Sequence, residues 1–351
     1  MKLHVFNPEH DLALAAHRSN FTAPHAGRAL RVDLGFLPAC WAEQGDAVLV
    51  EDAASARIRF HRLSAGAKKH LPDPLFVTKN DLSGLEIDGV EPWGWDLALR
   101  AQLLRYGVKE SLLPTTDEIE EIRKLSHRSF SARVLHEINV SGTIGDAYLC
   151  TTFDEIEEKL AKHPRLVLKA PWSSSGRGIR FLLSAEMTPS LRGWVKNTLR
   201  TQGSVMIEPY YNKVKDFGME FFADETGQVH YLGLSLFHTA NGAYTGNILA
   251  SEEVKREMLS RYISLDFLCA VQESLTSIIG RLLGSKYHGP LGVDMMMVKV
   301  DGEVLVHPCV EINMRRTMGH TALSLSPTKD AVKRVMRISL EGHYKMRTRK
   351  I

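Results

Sequence analysis

The chain has no cysteine pairing pattern. Cys40, Cys150, Cys269 and Cys309 lie far apart, with no C-x-x-C among them. That argues against a disulfide framework or a thiolate zinc site, and makes a reducing compartment the expectation. Long hydrophobic runs are also missing: no window approaches the roughly 20 apolar residues of a membrane span. The opening MKLHVFNPEHDLALAA is interrupted by histidine, glutamate and aspartate within eleven residues, unlike a signal peptide. Charge of one sign is scarce, since 44 Lys and Arg against 41 Asp and Glu leave +3. That excess is too small and too evenly spread to argue for nucleic acid. The one biased patch, Lys345 to Lys350, reads as an exposed basic end. A cytoplasmic protein with neither membrane nor nucleic-acid partner is the expectation, and 351 residues suit two or three domains.

What is present centres on Arg165 to Phe181, RLVLKAPWSSSGRGIRF. Leu166-Val167-Leu168 reads as a buried strand ending in Lys169, and Ile179-Arg180-Phe181 as a second strand. Between them Ser173, Ser174, Ser175, Gly176 and Gly178 carry little bulk, so backbone N–H groups can approach a polyanion closely. Lys169 adds a point charge and Arg177 a planar fork, and phosphate is the guest these groups suit. A Ser/Gly-rich turn between two hairpin strands is the plainer alternative.

Along the chain, Lys2 to Phe6, Asp46 to Glu51 and Pro74 to Thr78 read as strands, and a helix begins near Leu12. Strand, loop and helix in alternation predict a parallel α/β unit over residues 1–112. Ligands of such sheets sit at the carboxyl ends of strands, which singles out Asn7, Glu9 and His10. Asn7 and Asp11 serve equally well as helix-start caps. Leu112-Leu113-Pro114 marks a boundary. Helices follow over residues 117–125, 126–138 and 152–162, the last capped by Thr152 or Asp154 and leading into the lysine strand. Residues 113–203 form one subdomain in this reading, and 204–351 another. The second has strands at 205–208, 216–223 and 228–237, a polar loop at 238–247, and helices at 251–260 and 265–283.

Asp301-Gly302 between two apolar runs predicts a tight hairpin. Counting outward, Val300 faces Glu303 and Asp294 faces Cys309, with Glu311 diagonal to Asp294 and Pro308 a candidate bulge. Asp294, Glu311 and Asn313 then share a face. Two carboxylates and an amide oxygen are hard donors that suit Mg2+ or Mn2+. Separate solvated or arginine-paired acids are the alternative.

Lys169 to Ile179, Glu208-Pro209-Tyr210, and Asp294 with Glu311-x-Asn313-x-Arg315 together resemble the nucleotide-binding elements of the ATP-grasp enzymes, the loop and the run EINMR being closest to biotin carboxylase and the carbamoyl phosphate synthetase type. The resemblance spans about residues 113–320 and implies an ATP-grasp fold preceded by a Rossmann-like, pre-ATP-grasp α/β domain. It implies that Lys169 holds the α and β phosphates and that the loop Ser173 to Gly178 covers the triphosphate. Glu208, Pro209, Tyr210 and Tyr211 become the adenine hinge. Asp294, Glu311 and Asn313 become magnesium ligands, and Arg315 a contact of the transferred phosphoryl group or the substrate carboxylate. Arg128 stands where the family usually has a phosphate-binding lysine, a departure because a guanidinium binds phosphate with different geometry.

The implied cofactors are ATP and Mg2+ or Mn2+. The implied reaction joins a small-molecule or peptide carboxylate to an amine-bearing acceptor through an acylphosphate. A kinase-like phosphotransferase and a non-catalytic ATP-binding regulator are the rivals. Candidate acceptor contacts are His238, Asn241, Tyr244, Asn247 and His320, with His238 and His320 also candidate bases. Lys213 and Lys215 flank the hinge. A homodimer fits the resemblance, although oligomeric state is unreadable.

Overall fold

The structure is a computed structural model describing residues 1–66, 70–173, 176–184, 186–240, 243–329 and 333–351. Short apolar strands β1 (Lys2–Val5), β2 (Ala47–Leu49), β3 (Leu75–Val77) and β4 (Gly89–Pro92) form a parallel sheet in the order β3-β2-β1-β4. Helices α1 (His10–Ala16), α2 (His25–Leu34), α3 (Ala53–Gly66) and α4 (Leu97–Arg105) connect and cover it. The parallel arrangement is as expected. β4 and helices α2 and α3 lacked a legible signal: α2 presents arginines between its apolar residues, and β4 has no apolar alternation.

Helices α5 (Thr116–Leu125) and α6 (Arg128–Glu137) lead into an antiparallel sheet. Thr115 and Glu118 cap α5 reciprocally, satisfying two otherwise orphan N–H groups. Strands β5 (Tyr148–Cys150), β6 (Leu166–Lys169), β7 (Ile179–Leu182) and β8 (Val205–Pro209) pair in the order β5-β8-β6-β7. Helices α7 (Phe153–Lys162) and α8 (Pro189–Gln202) pack on this sheet over a small core of Ile156, Leu166, Leu168, Val195 and Ile207. Thr152, rather than Asp154, caps α7.

The largest core lies under β9 (Lys213–Ala223) and β10 (Val229–Ser235). The hairpin β11 (Phe237–Ala240) and β12 (Ala243–Leu249) follows, then α9 (Glu252–Ser260), α10 (Leu265–Leu283), β13 (Gly289–Val300) and β14 (Glu303–Asn313). α11 (Met318–Leu325), β15 (Arg334–Glu341) and β16 (His343–Lys350) complete the chain. Two sheets result, β10-β9-β13-β14 and β11-β12-β15-β16. Among the described residues no single helix is long and apolar enough to cross a membrane.

Three expectations are corrected. Residues 238–247 are largely strand: His238 pairs with Gly246 and Ala240 with Ala243. The Asn-Gly dipeptide at 241–242 was the available hairpin signal. The basic end is no free tail. Lys345 to Lys350 belong to β16, whose Tyr344 and Met346 pack against the core beneath α2 and α3. In the hairpin, Val300 faces Glu303 as expected, but Asp294 faces Glu311 directly, because residues 308–310 lie opposite Met295 alone. That bulge surrounds Pro308, which has no N–H to donate to a ladder.

Candidate active site

Lys169 ends β6 beside Glu208 on the neighbouring strand β8. Its ammonium lies 2.6 Å from Glu208 Oε1 and donates to the Val310 carbonyl at 3.4 Å, with both side chains buried. This lysine therefore ties the central sheet to β14. A second tie comes from Arg128, the first residue of α6 and itself buried. One guanidinium nitrogen donates to the Ala170 carbonyl and to Ser173 Oγ (2.9 Å), and the other to Glu311 Oε1 at 2.7 Å. Only a planar fork reaches loop and hairpin together.

The loop itself is closely folded. The Gly178 carbonyl accepts from Ala170 N–H at 2.8 Å, and a Cβ on Gly178 would come within 2.3 Å of Ser173 Cβ. Glycine is needed there for close approach. Gly176 has φ of 71°, a backbone region that favours glycine.

On β13 and β14, Asp294 and Glu311 oppose each other, and Asn313 donates to Asp294 Oδ2 at 3.3 Å. Burial first, then Glu311 and Glu220, push the Asp294 carboxyl up to about 8. Facing acids under such repulsion are a donor set that a divalent cation relieves. Among the described residues no three His, Cys, Asp or Glu side chains cluster as a metal cage. Two carboxylates and an amide oxygen instead fit Mg2+, whose shell is commonly completed by water and substrate phosphates.

Arg315, just past β14, is held by Asp11 from the other end of the chain. Its Nη2 and Nε lie 2.7 and 3.0 Å from the two carboxylate oxygens, and Nη2 also donates to Asn313 Oδ1 at 2.9 Å. Burial works against ionised Asp11, yet the Arg315 guanidinium outweighs it and holds the carboxyl below its usual range.

These groups border one cleft of about 560 Å³. Of the residues singled out from sequence, Arg128, Lys169, Ser173, Gly176, Glu208, Pro209, Tyr210, Tyr211, Asp294, Glu311, Asn313 and Arg315 line it. Arg177 is exposed and Gly178 sits behind Ser173; neither lines it. Ser174, Ser175 and Asn241 lie outside the described residues.

Among the acceptor candidates, Tyr244 and Asn247 border the cleft, as does Lys213, whereas His238 and Lys215 do not. His320 is buried, 3.0 Å from Glu220. Asn7, Glu9 and His10 belong to a buried network instead of the lining. Asn7 donates to the Gly94 carbonyl and Asp96, His10 lies 3.4 Å from Asp96, and Glu9 pairs with Arg31 at 2.5 Å. Nor do Asn7 and Asp11 cap α1: Glu9 precedes it, and Asp11 is its second residue. Sequence reasoning missed Phe6, Trp93, Glu220 and Thr317 as lining residues. An acid in the first turn of α1 was the only local trace of Asp11.

No protein-family model and no curated protein sequence matches the chain. Solved structures do. The biotin carboxylase domain of the 2-oxoglutarate carboxylase from Hydrogenobacter thermophilus, in complex with MgADP, ADP and bicarbonate, aligns over 96% of this chain and 74% of its own. Its TM-score is 0.54 at 14% identity. N5-carboxyaminoimidazole synthetase from Staphylococcus aureus, complexed with ADP, aligns over 97% and 82%, with a TM-score of 0.51 at 12% identity. Biotin carboxylase from Campylobacter jejuni, in a β,γ-ATP complex, aligns over 96% and 75%, with a TM-score of 0.51 at 13% identity. Identities this low speak to architecture, and on that ground the chain has the ATP-grasp fold, with an α/β unit at its N-terminus.

Proposed function

We propose that the protein is an ATP-dependent carboxylate–amine ligase using Mg2+. One observation carries this reading: Lys169, Arg128 and the Asp294–Glu311 pair, drawn from four elements in three stretches distant in sequence, border a single cleft. Cation and acid pair are what a metal-bound triphosphate requires on its two sides. Nucleotide complexes of the H. thermophilus, S. aureus and C. jejuni proteins support the same assignment.

In this reading Lys169 and Arg128 neutralise phosphate oxygens, and the backbone after Glu208 meets the base. Asp294, Glu311 and Asn313 would hold the metal, which when bound would supply charge neutralisation to the triphosphate. Arg315, fixed by Asp11, Asn313 and the Arg316 carbonyl, places its positive charge beside the carboxylate substrate or the phosphoryl group. A substrate carboxylate oxygen forms a bond to the γ-phosphorus as the bridging oxygen leaves with ADP. The amine then attacks the acyl carbon, phosphate departs, and the amine loses a proton. Positioning and charge neutralisation supply most of such catalysis.

Incubation with ATP, Mg2+ and pools of carboxylic and amino acids tests the proposal. A ligase forms ADP and phosphate only when both partners are present. Phosphate retained on an acceptor would instead mark a kinase, and binding without turnover a regulator.

A further inference from the structure

Residues 333–351 hold seven of the 44 Lys and Arg but one of the 41 Asp and Glu. The other 332 residues therefore carry an acid excess of three, so the positive balance of the chain is concentrated in the β15–β16 hairpin. Register then puts Arg337, Lys345, Arg347 and Arg349 on one face and leaves Arg334, paired with Lys350, on the other. Arg337 pairs with Arg347 on one side and Gly246 on the other, and Gly246 pairs with His238. Lys345 and Arg349, each two residues from Arg347, share that face. On the opposite face Met336, Tyr344 and Met346 pack into the core, and Ile338 lines the cleft. Lys215 extends the patch from β9. Burial first, then Lys215 and Arg337, push the His238 imidazole below its usual range.

Charged edge strands protect a sheet from pairing with other chains, which accounts for Lys345, Arg347 and Arg349 on β16. It does not account for Arg337 on an inner strand, or for His238 and Lys215 beyond it. Arginines directly opposite each other also oppose sheet formation. On β15 and β16 this face contains one acid, Glu341, which accepts from Arg347 at 2.6 Å and Lys345 at 3.4 Å, and Asp216 lies near His238. Among the described residues no carboxylate pairs with Arg337 or Arg349. Between His238 and Arg337 stands Gly246, where a Cβ would come within 2.2 Å of the Met336 carbonyl oxygen and 3.0 Å of Arg337 Cγ, so the Arg337 stem lies over the glycine. The result is an exposed face set with the Arg337, Lys345, Arg347 and Arg349 cations.

We propose that this face docks an acidic, Glu- and Asp-rich peptide, and that such a peptide bears the carboxylate on which the enzyme acts. The second clause rests on the ligase reading above; the first does not. Carboxylates are favoured over a nucleic-acid backbone on two grounds. The guanidinium of Arg347 already pairs with a carboxylate here, and on β15 and β16 this face carries no Phe, Tyr or Trp on which bases could stack; the Tyr262 ring beside Lys215 already lies under that ammonium, 5.7 Å from its centroid. The same sheet turns Phe237, Thr239 and Ile338 to the cleft, so docking surface and reaction chamber are two sides of one element.

The test is fluorescence anisotropy of a labelled 20-residue peptide of alternating Glu and Ser, titrated with the full chain without ATP. Binding should weaken about tenfold or more between 50 and 300 mM NaCl, and the matching Gln–Ser peptide should not bind. Arg337→Glu with Arg347→Glu should weaken binding at least tenfold while leaving the thermal transition in place. If the reversal unfolds the chain, Arg337→Gln with Arg347→Gln should give a smaller loss in the same direction. Absence of salt-sensitive binding, unchanged affinity in folded variants, or tighter binding of a labelled 20-nucleotide RNA would each overturn the proposal. Because no ATP is present, a failed ligase assay leaves this result intact. If the peptide binds but does not stimulate ADP release in an otherwise active enzyme, the substrate clause fails alone.

Discussion

Asp11 and Arg315, 304 residues apart, face each other with Nη2–Oδ2 at 2.7 Å and Nε–Oδ1 at 3.0 Å, both largely shielded from water. The pair clamps the first helix of the α/β unit to the end of the acidic hairpin, so one contact links two walls of the cleft. Removing a single partner strands a buried charge. Asp11→Asn should therefore cost about 3 kcal/mol or more at pH 7, read by urea unfolding. Because the folded Asp11 carboxyl lies below its ordinary 3.8, its contribution is complete above that pH and disappears as pH falls through the folded value. The gap between wild type and variant should close only in strong acid. A gap unchanged down to pH 2 would contradict the pairing.

Lys169 and Glu208 offer a separation of folding from chemistry. Lys169→Met leaves Glu208 buried without its cation and should destabilise by several kcal/mol. Adding Glu208→Gln should restore much of that stability. Neither variant should use ATP, with kcat/KM down at least about a hundredfold, because the strand-end ammonium is absent from both. Recovery of turnover in the double variant would remove Lys169 from the site.

The parts of this arrangement with local signatures were legible from sequence. Thr152 with Glu155 and the Asp301-Gly302 turn announce themselves within four residues, and both occur where expected. The facing of Asp294 and Glu311 was not legible, because two additional residues around Pro308 shift the count and nothing local gives a bulge's size. β16 has strict alternation, but its inward residues are Tyr344, Met346 and Thr348 between cations. A period-2 search keyed to aliphatic residues passes over it. Asp11 to Arg315 is a tertiary contact with no local signal at either end.

Asp294 should make stability depend on divalent metal and pH together. Its folded carboxyl titrates near 8 against an ordinary 3.8, so the folded state binds the extra proton. Stability is therefore lost as pH rises between about 4 and 8, on the order of a few kcal/mol. In EDTA, thermal unfolding of the wild type should fall across that window relative to Asp294→Asn. Millimolar Mg2+ with ADP should reverse the fall in the wild type and have little effect on the Asp294→Asn variant. A flat wild-type profile in EDTA would show the two acids are not mutually strained.

Arg128 holds three acceptors at once, the Ala170 carbonyl, Ser173 Oγ and Glu311 Oε1. Lysine keeps the charge but concentrates its donors on one nitrogen, which cannot span the loop and the hairpin from the same backbone position. Arg128→Lys should therefore loosen the Ser173 loop while the ATP-dependent reaction persists, raising KM for ATP about tenfold with a smaller fall in kcat. Arg128→Met should lose both and also leave Glu311 without its cation. Hydrogen exchange supplies an independent readout: amides of residues 170–173 should exchange faster in Arg128→Lys, and those of β8 should not. Equal KM for ATP in the arginine and lysine forms would mean that the fork, as distinct from its charge, contributes nothing to holding the loop over the nucleotide.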